Sequence, residues 1–320
     1  MNFANVKALT IPEGSVKQIA GGNGVVLWKK NTGPDYTEPF YVENITNGDE
    51  TLSIAKAGDG ANTIDVEYSI DKTNWSTLGS TSKNTPLIYT LTPNSKLYLR
   101  ASTNTWGEGS SYNKITGISK IGGNIMSLLY GRDFTGQETI FPQNSGNLIF
   151  NKIFSNNTIL IDASVLVLPV ISLDQYCYRE MFMGCTSLVG APTLPATTLN
   201  QFCYNGMFKG CISLVNAPVL PATTLSSRCY MEMFRDCISL VNAPVLPAGT
   251  LPRSCYENMF NGCSSLNYIK CLATNISGSN CVNNWVSGVV ASGTFVKDAN
   301  MTSWPTGTSG IPEGWTVQNM

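Results

Sequence analysis

The stretch that decides the fold of this chain is "CYNGMFKGCISLVNAPVLPATTL" at residues 203–225, which returns 26 residues later as "CYMEMFRDCISLVNAPVLPAGTL" at residues 229–251. The same pattern surrounds Phe182 and Phe260, so the unit occurs four times at a constant step of 26 residues. A period between about 20 and 50 residues is typical of stacked supersecondary units. The repeat therefore predicts a stack in which each unit packs on the next.

Each unit divides into two halves. The segment "TTLNQFCYNGMFKGC" (197–211) predicts a short helix, because Cys203, Met207 and Cys211 follow one another at i, i+4 and i+8 on one apolar face. The segment "SLVNAPVLPAT" (213–223) predicts an extended strand that ends at its second proline. We expect the helix to pack on a sheet that the strands of successive units build together.

The repeated cysteines and phenylalanines predict a core rather than a reactive site. They form three columns: Cys177, Cys203, Cys229 and Cys255; Cys185, Cys211, Cys237 and Cys263; and Phe182, Phe208, Phe234 and Phe260. Cysteines on the buried side of a helix behave as small apolar residues. Disulfide bonds between repeats and zinc binding are the weaker alternatives, since two cysteines of one unit lie about 12 Å apart along a helix and their spacing is not typical of zinc sites.

Charge and composition exclude several function classes. The chain has 20 Lys and Arg residues against 21 Asp and Glu residues, which argues against a nucleic-acid partner. It has no histidine, the commonest general base and metal ligand, so we expect no catalytic site, no metal and no cofactor. It has neither an apparent secretory signal nor an apolar run long enough to span a membrane, and we expect a product made without export or membrane insertion.

The repeat resembles the leucine-rich repeat of BspA-like bacterial surface antigens. The pattern "MF-x-G-C-x-S-L-x-x-A-P-x-L-P-A-T-T-L" matches at residues 181–199, 207–225, 233–251 and, in part, 259–266. Residues 153–173 fit as a degenerate first repeat, in which Phe154, Asn157 and Leu160 stand where later repeats have Phe182, Cys185 and Leu188. The resemblance implies a leucine-rich-repeat solenoid whose atypical end units cover its core.

We predict a mixed α+β chain of several domains. An antiparallel sandwich of immunoglobulin or fibronectin type is indicated by alternating apolar residues and by strands that recur every 10 to 12 residues. The predicted order is a β-meander anchor at 1–30, a linker at 31–38, the β-sandwich at 39–120, a connector and solenoid cap at 121–147, the solenoid at 148–285 and a C-terminal cap at 286–320.

The whole chain is similar to virion proteins of phages that infect gut anaerobes, the crAss-like group among them. The resemblance rests on "LTIPEGSV", "VVLW", "GGNIMSLLYG" and the repeats, in that order. It implies a head or tail fibre or decoration protein, a homo-oligomer that meets other virion proteins through residues 1–30 and a host glycan or protein through its repeats. An exported bacterial adhesin is the alternative, and a glycan-active enzyme is a remote one because no pair of carboxylates stands out.

Residues that vary between repeats are the candidate binding positions. They are expected on or near the outward side of the predicted helix: Met183, Lys209, Arg235 and Asn261, with Arg179, Asn205, Met231 and Glu257. A solvated face that has drifted after duplication is the competing interpretation. The tyrosine column Tyr178, Tyr204, Tyr230 and Tyr256 suggests a ladder for sugar rings, but its place inside the apolar arc favours core packing.

Overall fold

In the computed structural model, the structure describes residues 35–57, 63–81, 85–102, 112–136, 141 and 148–320, together with the strands β1 (Gln18–Ala20) and β2 (Val26–Lys29). The chain divides into two compact units, residues 1–35 and 36–320. In the first unit β1 and β2 pair antiparallel, with Gln18 opposite Lys29. The rest of the predicted anchor, and residues 31–34 of the predicted linker, lie outside the described residues.

The N-terminal part of the second unit consists of two antiparallel sheets. Its strands are β3 (Tyr41–Glu43), β4 (Glu50–Ala57), β5 (Ile64–Ser69), β6 (Ser76–Thr81), β7 (Leu87–Leu91), β8 (Lys96–Ala101), β9 (Tyr112–Thr116) and β10 (Lys120–Asn124). One sheet has the order β10-β3-β8-β5-β6 and the other β7-β4-β9. Alternate residues of both sheets, such as Leu52 and Ile54 on β4 and Ile64 and Val66 on β5, are buried in one apolar core.

A further strand joins this region to the repeats. After the single-turn helix α1 (Ser127–Tyr130) and a short 3-10 turn (Gly131–Asp133), strand β11 (Asp162–Val167) pairs parallel with β10. Asp162 in turn forms a parallel bridge to Gly190 in the next repeat. Backbone hydrogen bonds therefore run from the first sheet directly into the repeats.

Successive repeats stack on one another, and their equivalent aromatic rings are in contact. We call each repeat a tier, and identify tiers 1 to 5 by their buried phenylalanine and tier 6 by a tryptophan: Phe154, Phe182, Phe208, Phe234, Phe260 and Trp285. Neighbouring rings in the column from Phe154 to Phe260 lie 5.5–5.8 Å apart between centroids and are nearly parallel. Each tier therefore contacts mainly its two neighbours.

The segments predicted as helices are not helical. Their residues alternate between negative and positive φ, with Tyr176, Tyr178 and Glu180 at +59°, +58° and +51° in tier 2. Residues between them donate backbone bonds three residues back, as Arg179 does to Tyr176 (3.1 Å), whereas Glu180 donates to Asn205 in the next tier (2.8 Å). An α-helix needs uniformly negative φ and bonds four residues back, so neither of its conditions is met.

The predicted mixed α+β class, with its leucine-rich-repeat solenoid of helix-and-strand units, is therefore wrong. The described part of the chain is mostly β, with several sheets and no closed barrel. Its only helical elements within those residues are α1 and the 3-10 turn. At the C-terminal end, β12 (Tyr268–Cys271), β13 (Thr294–Lys297) and β14 (Thr316–Asn319) form a parallel sheet in which β14 is the outer strand.

Candidate functional surface of the stacked tiers

The cysteine columns lie inside the stack. All ten cysteines of the chain are free and buried. The thiol of Cys211 donates to the carbonyl oxygen of Phe182 at 3.1 Å, and that oxygen also accepts the backbone N–H of Cys185 at 3.0 Å. The same thiol-to-carbonyl bond recurs from Cys237 to Phe208 and from Cys263 to Phe234, each at 3.0 Å. These thiols thus link neighbouring tiers.

Burial keeps the thiols protonated. Removal from water raises the pKa of Cys185 to about 12, although a backbone hydrogen bond from Asn157 opposes the shift. A protonated, inaccessible thiol is a poor nucleophile and a poor metal ligand. Within the described residues, no group of three or more Cys, Asp or Glu side chains is arranged to hold a metal ion.

The first tier uses an amide where later tiers use a thiol. Asn157, which aligns with Cys185, donates through Nδ2 to the carbonyl of Ile118 (3.0 Å) and accepts the N–H of Gly117 through Oδ1 (3.2 Å). The side chain is 1% exposed. It therefore fastens the stack to the turn between β9 and β10, a role that the alignment of the repeats did not reveal.

The tyrosine column is inaccessible to a ligand. Tyr178, Tyr204, Tyr230 and Tyr256 are at most 1% exposed, and their neighbouring rings stack at 5.8, 6.0 and 6.3 Å between centroids. Burial raises the pKa of each phenol. A sugar ring cannot reach these aromatic faces in the folded chain.

The eight candidate binding residues lie on the turn segments. We call this surface the turn face. Asn205 is buried, and the other seven are half-buried: Met183, Lys209, Arg235, Asn261, Arg179, Met231 and Glu257. The backbone hydrogen bonds beneath these side chains are the same in successive tiers. The N–H groups of Phe182, Phe208 and Phe234 each donate to a carbonyl oxygen of the following tier at 2.9 Å. A constant scaffold thus carries side chains of different chemistry.

Many of the charged side chains on the turn face form ion pairs with one another. Glu232 of tier 4 accepts from Lys209 of tier 3 at 2.8 Å and from Arg235 at 2.7 Å. In tier 2, Glu180 pairs with Arg179 at 2.7 Å and with Lys152 of tier 1 at 3.0 Å. Although burial alone would raise it, the bonds and charges of the two cations lower the pKa of Glu232.

Amide side chains dominate the turn face beyond these ion pairs. Asn283 donates to Glu257 at 3.3 Å, and Asn261 donates to the carbonyl of Asn284 at 3.4 Å. The turn face therefore changes from paired charges in tiers 1 to 4 to hydrogen-bonding amides in tiers 5 and 6. Such a surface can make polar contacts with a partner over several tiers.

A second surface of the stack was missed from the sequence. Ten of the sixteen exposed large apolar side chains in the described residues lie between Ile159 and Val245. The extended segments at 186–200, 212–226 and 238–251 contain no charged residue. That absence of charge, together with the repeated valines, was the signal in the sequence that could have identified the surface.

No helix in the described part of the chain has the length and apolar character that crossing a bilayer requires. The chain matches no known protein family, no curated protein and no solved structure.

Proposed function

We propose that this chain is a non-enzymatic structural protein of a phage virion, a head or tail fibre or decoration, that attaches to the host through its stacked tiers. Residues 1–30 would anchor it to other virion proteins, and the turn face would contact a host glycan or protein. The proposal rests on the resemblance of the motif order to virion proteins and on the repeated surface.

The observation that carries the binding role is the contrast between constant backbone and variable side chains. Residues 183, 209, 235 and 261 occupy equivalent places in successive tiers, yet they are Met, Lys, Arg and Asn. A repeated scaffold with varied outward residues binds by area. Many copies on one particle would convert weak contacts into strong attachment.

The binding test compares surface variants of the purified chain on host cells. Met183→Ser combined with Asn261→Ala changes two tiers of the turn face without breaking a salt bridge. We expect about a tenfold loss of affinity for the cells, measured by flow cytometry with labelled protein. This corresponds to a loss of roughly 1.4 kcal/mol of binding free energy. Lys72→Ala, which removes the Glu38 ion pair on the two-sheet region, is the matched control. Equal binding by all three proteins would refute the role of the turn face.

The anchoring role requires a separate measurement. Particles assembled with the full chain and with residues 1–30 deleted would be purified and imaged, and the chain would be quantified by mass spectrometry. We expect the deletion to abolish incorporation. Full occupancy by the shortened chain would refute the anchor, and absence of the full chain from particles would refute the virion assignment.

The bacterial adhesin is the second candidate, favoured by the repeat motif alone. It predicts that the chain resides on the surface of the cell that encodes it. Surface labelling of intact cells by an antibody to the tiers would support the adhesin over the virion protein. The glycan-active enzyme would be revived only by turnover of a polysaccharide that an Asp or Glu substitution abolishes.

A further inference from the structure

The stack presents a second face that is apolar and exposed. We define the valine face by Val189 of tier 2, Ile212, Val215 and Val219 of tier 3, and Ile238 and Val245 of tier 4. Their side chains are 39–76% exposed, with Val219 the most exposed at 76%. Clusters of exposed apolar side chains of this kind mark interaction surfaces, because water solvates them poorly.

The segments that carry the valine face have no formal charge. Residues 186–200, 212–226 and 238–251 contribute only Val, Ile, Leu, Ala, Pro, Gly, Thr, Ser and Asn. Salt bridges of the stack lie instead on the turn face. A partner for such a surface is therefore neutral and apolar, since no charge is present to attract an ionic one.

The valine face is internally duplicated. Residues 211–222 and 237–248 have the same sequence, "CISLVNAPVLPA", in two adjacent tiers. Asn216 and Asn242 of these segments form a parallel bridge, which places the two segments side by side. Consider a two-fold axis that is parallel to these segments and lies midway between tiers 3 and 4. It would place tier 3 of one copy opposite tier 4 of a second copy, and tier 4 opposite tier 3.

We propose that two copies of this chain associate face to face through their valine faces about this axis. Val219 of one copy then meets Val245 of the other, and the reverse contact is identical by symmetry. Both contacts are chemically alike because the two tiers have the same sequence. Like faces without charge do not repel one another, which favours a second copy over an unrelated partner.

The dimensions of the valine face suit a small two-fold interface. Tiers are separated by 5.5–5.7 Å between stacked rings. The three tiers of the valine face, each contributing about ten residues at ~3.3 Å, give a face of roughly 15 by 30 Å, or about 500 Å². Stable interfaces remove roughly 800 Å² of surface on each partner, so the valine face suits a weak dimer at the small end of the range.

The first test is the mass of the chain in solution. We expect the wild-type chain to sediment at about twice 34.6 kDa in the tens-of-micromolar range. Val219→Lys combined with Val245→Lys should give a folded monomer, with the circular dichroism spectrum of the wild type and an unfolding midpoint that no longer depends on protein concentration. Ile70→Lys is the matched control, because Ile70 is 72% exposed but lies outside the stack, and it should remain dimeric. A monomeric wild type, or a dimer that the double variant does not dissociate, would overturn the proposal.

Crosslinking tests the predicted register. The axis places tier 2 of one copy opposite tier 5 of the other, so Val189→Cys with Asn267→Cys should form intermolecular disulfides. Both positions are exposed, and the ten native thiols are buried and should not compete. Each single variant should stay uncrosslinked, because its own position in the second copy lies three tiers away. Crosslinking of a single variant as efficient as that of the double variant, or an assembly larger than a dimer, would refute the two-fold arrangement.

Discussion

The thiol of Cys211 donates a hydrogen bond of 3.1 Å to the carbonyl oxygen of Phe182, in the tier before its own. The same carbonyl accepts a backbone N–H within its turn. Both lone pairs of a fully buried oxygen are thus used, and the cysteine column contributes polar contacts as well as apolar volume. Interpreting these cysteines from the sequence as core filling alone was therefore incomplete.

The raised pKa values of the thiols predict alkaline destabilisation. A thiol whose pKa rises from 9.0 to about 12 on burial, as for Cys185, stays protonated in the folded chain while the unfolded chain loses its proton. The contribution of each such thiol to stability should be constant below pH 9 and should fall by about 1.4 kcal/mol per pH unit between pH 9 and 12. Urea unfolding at pH 8, 9 and 10 measures the slope. Cys185→Ala should reduce it, and an unchanged slope would contradict the assignment.

The last position of the turn segment favours glycine, because its φ is positive: tiers 2, 3 and 5 have Gly184, Gly210 and Gly262 there, and tier 4 has Asp236 at φ +61°. Gly262 has φ +79°, and a Cβ there would collide with the side chain of Asp236 in the tier below. Gly262→Ala should lower the free energy of unfolding by about 1–2 kcal/mol from backbone strain alone. Adding Asp236→Gly should recover the part due to the collision. The control is Gly249→Ala, whose Cβ meets nothing closer than 4.0 Å and which should be near neutral in the same thermal melts.

The bridging carboxylate of Glu232 predicts a salt-dependent contribution. Glu232→Gln removes two charge-assisted bonds on a partly exposed surface and should cost about 0.5–1 kcal/mol at low salt. At 1 M salt the difference from wild type should shrink, because exposed charges are screened. Since the pKa of Glu232 is lowered on folding, its contribution is present above the ordinary value of 4.5 and is lost as the pH falls below it. Unfolding midpoints at two salt concentrations provide the measurement, and a cost that is independent of salt would argue against an ionic origin.

Trp285 joins the two aromatic columns near the C-terminal end of the stack, and Trp304 stacks on it at 5.7 Å between centroids. Both aromatic columns reach it, with Tyr256 and Phe260 each 6.2 Å away between centroids, and its indole N–H donates to the carbonyl of Gly310 at 2.8 Å. Trp285→Ala should destabilise the chain by about 3–5 kcal/mol. Trp285→Phe should cost less, because it retains ring stacking but loses the hydrogen bond.

Protease digestion followed by mass spectrometry localises the effect of the Trp285 variants. Cleavage in the alanine variant should begin beyond residue 285. Trp75→Phe provides the control, since Trp75 contacts Arg100 in the two-sheet region and not the stack. First cleavage within tiers 1 to 3 would contradict this role for Trp285.

The sequence predicted the repeat period and the aromatic and thiol columns well, because identical residues at a fixed step must occupy identical environments. It failed on the turn segments for a specific reason. A spacing of four, as between Cys203, Met207 and Cys211, fits a helix of 3.6 residues per turn and also fits a ribbon of alternating φ. Positive φ at Tyr204 or Glu232 is unfavourable for L-residues, so propensity gave no warning of it.

The candidate site was predicted only in part. Variation between repeats selected residues of the turn segments, of which Asn205 is buried. It did not show that Lys209 and Arg235 share Glu232 as a partner, Lys209 from the neighbouring tier and Arg235 from the same one. That contact depends on which residues of successive tiers come side by side. The valine face was overlooked because the exposed side of the predicted strands was not considered. Within residues 213–223 only Leu214, Leu220 and Ala222 are buried, and Val215 and Val219 are exposed.

The identity of residues 211–222 and 237–248 has a consequence for how this protein can change over generations. Removing or adding one block of 26 residues between the two copies would rejoin identical sequences. The turn-segment donors Phe182, Phe208 and Phe234 already find the same acceptor one block further on. Genetic exchange between the duplicated coding segments would therefore shorten or lengthen the molecule without disturbing either of its ends.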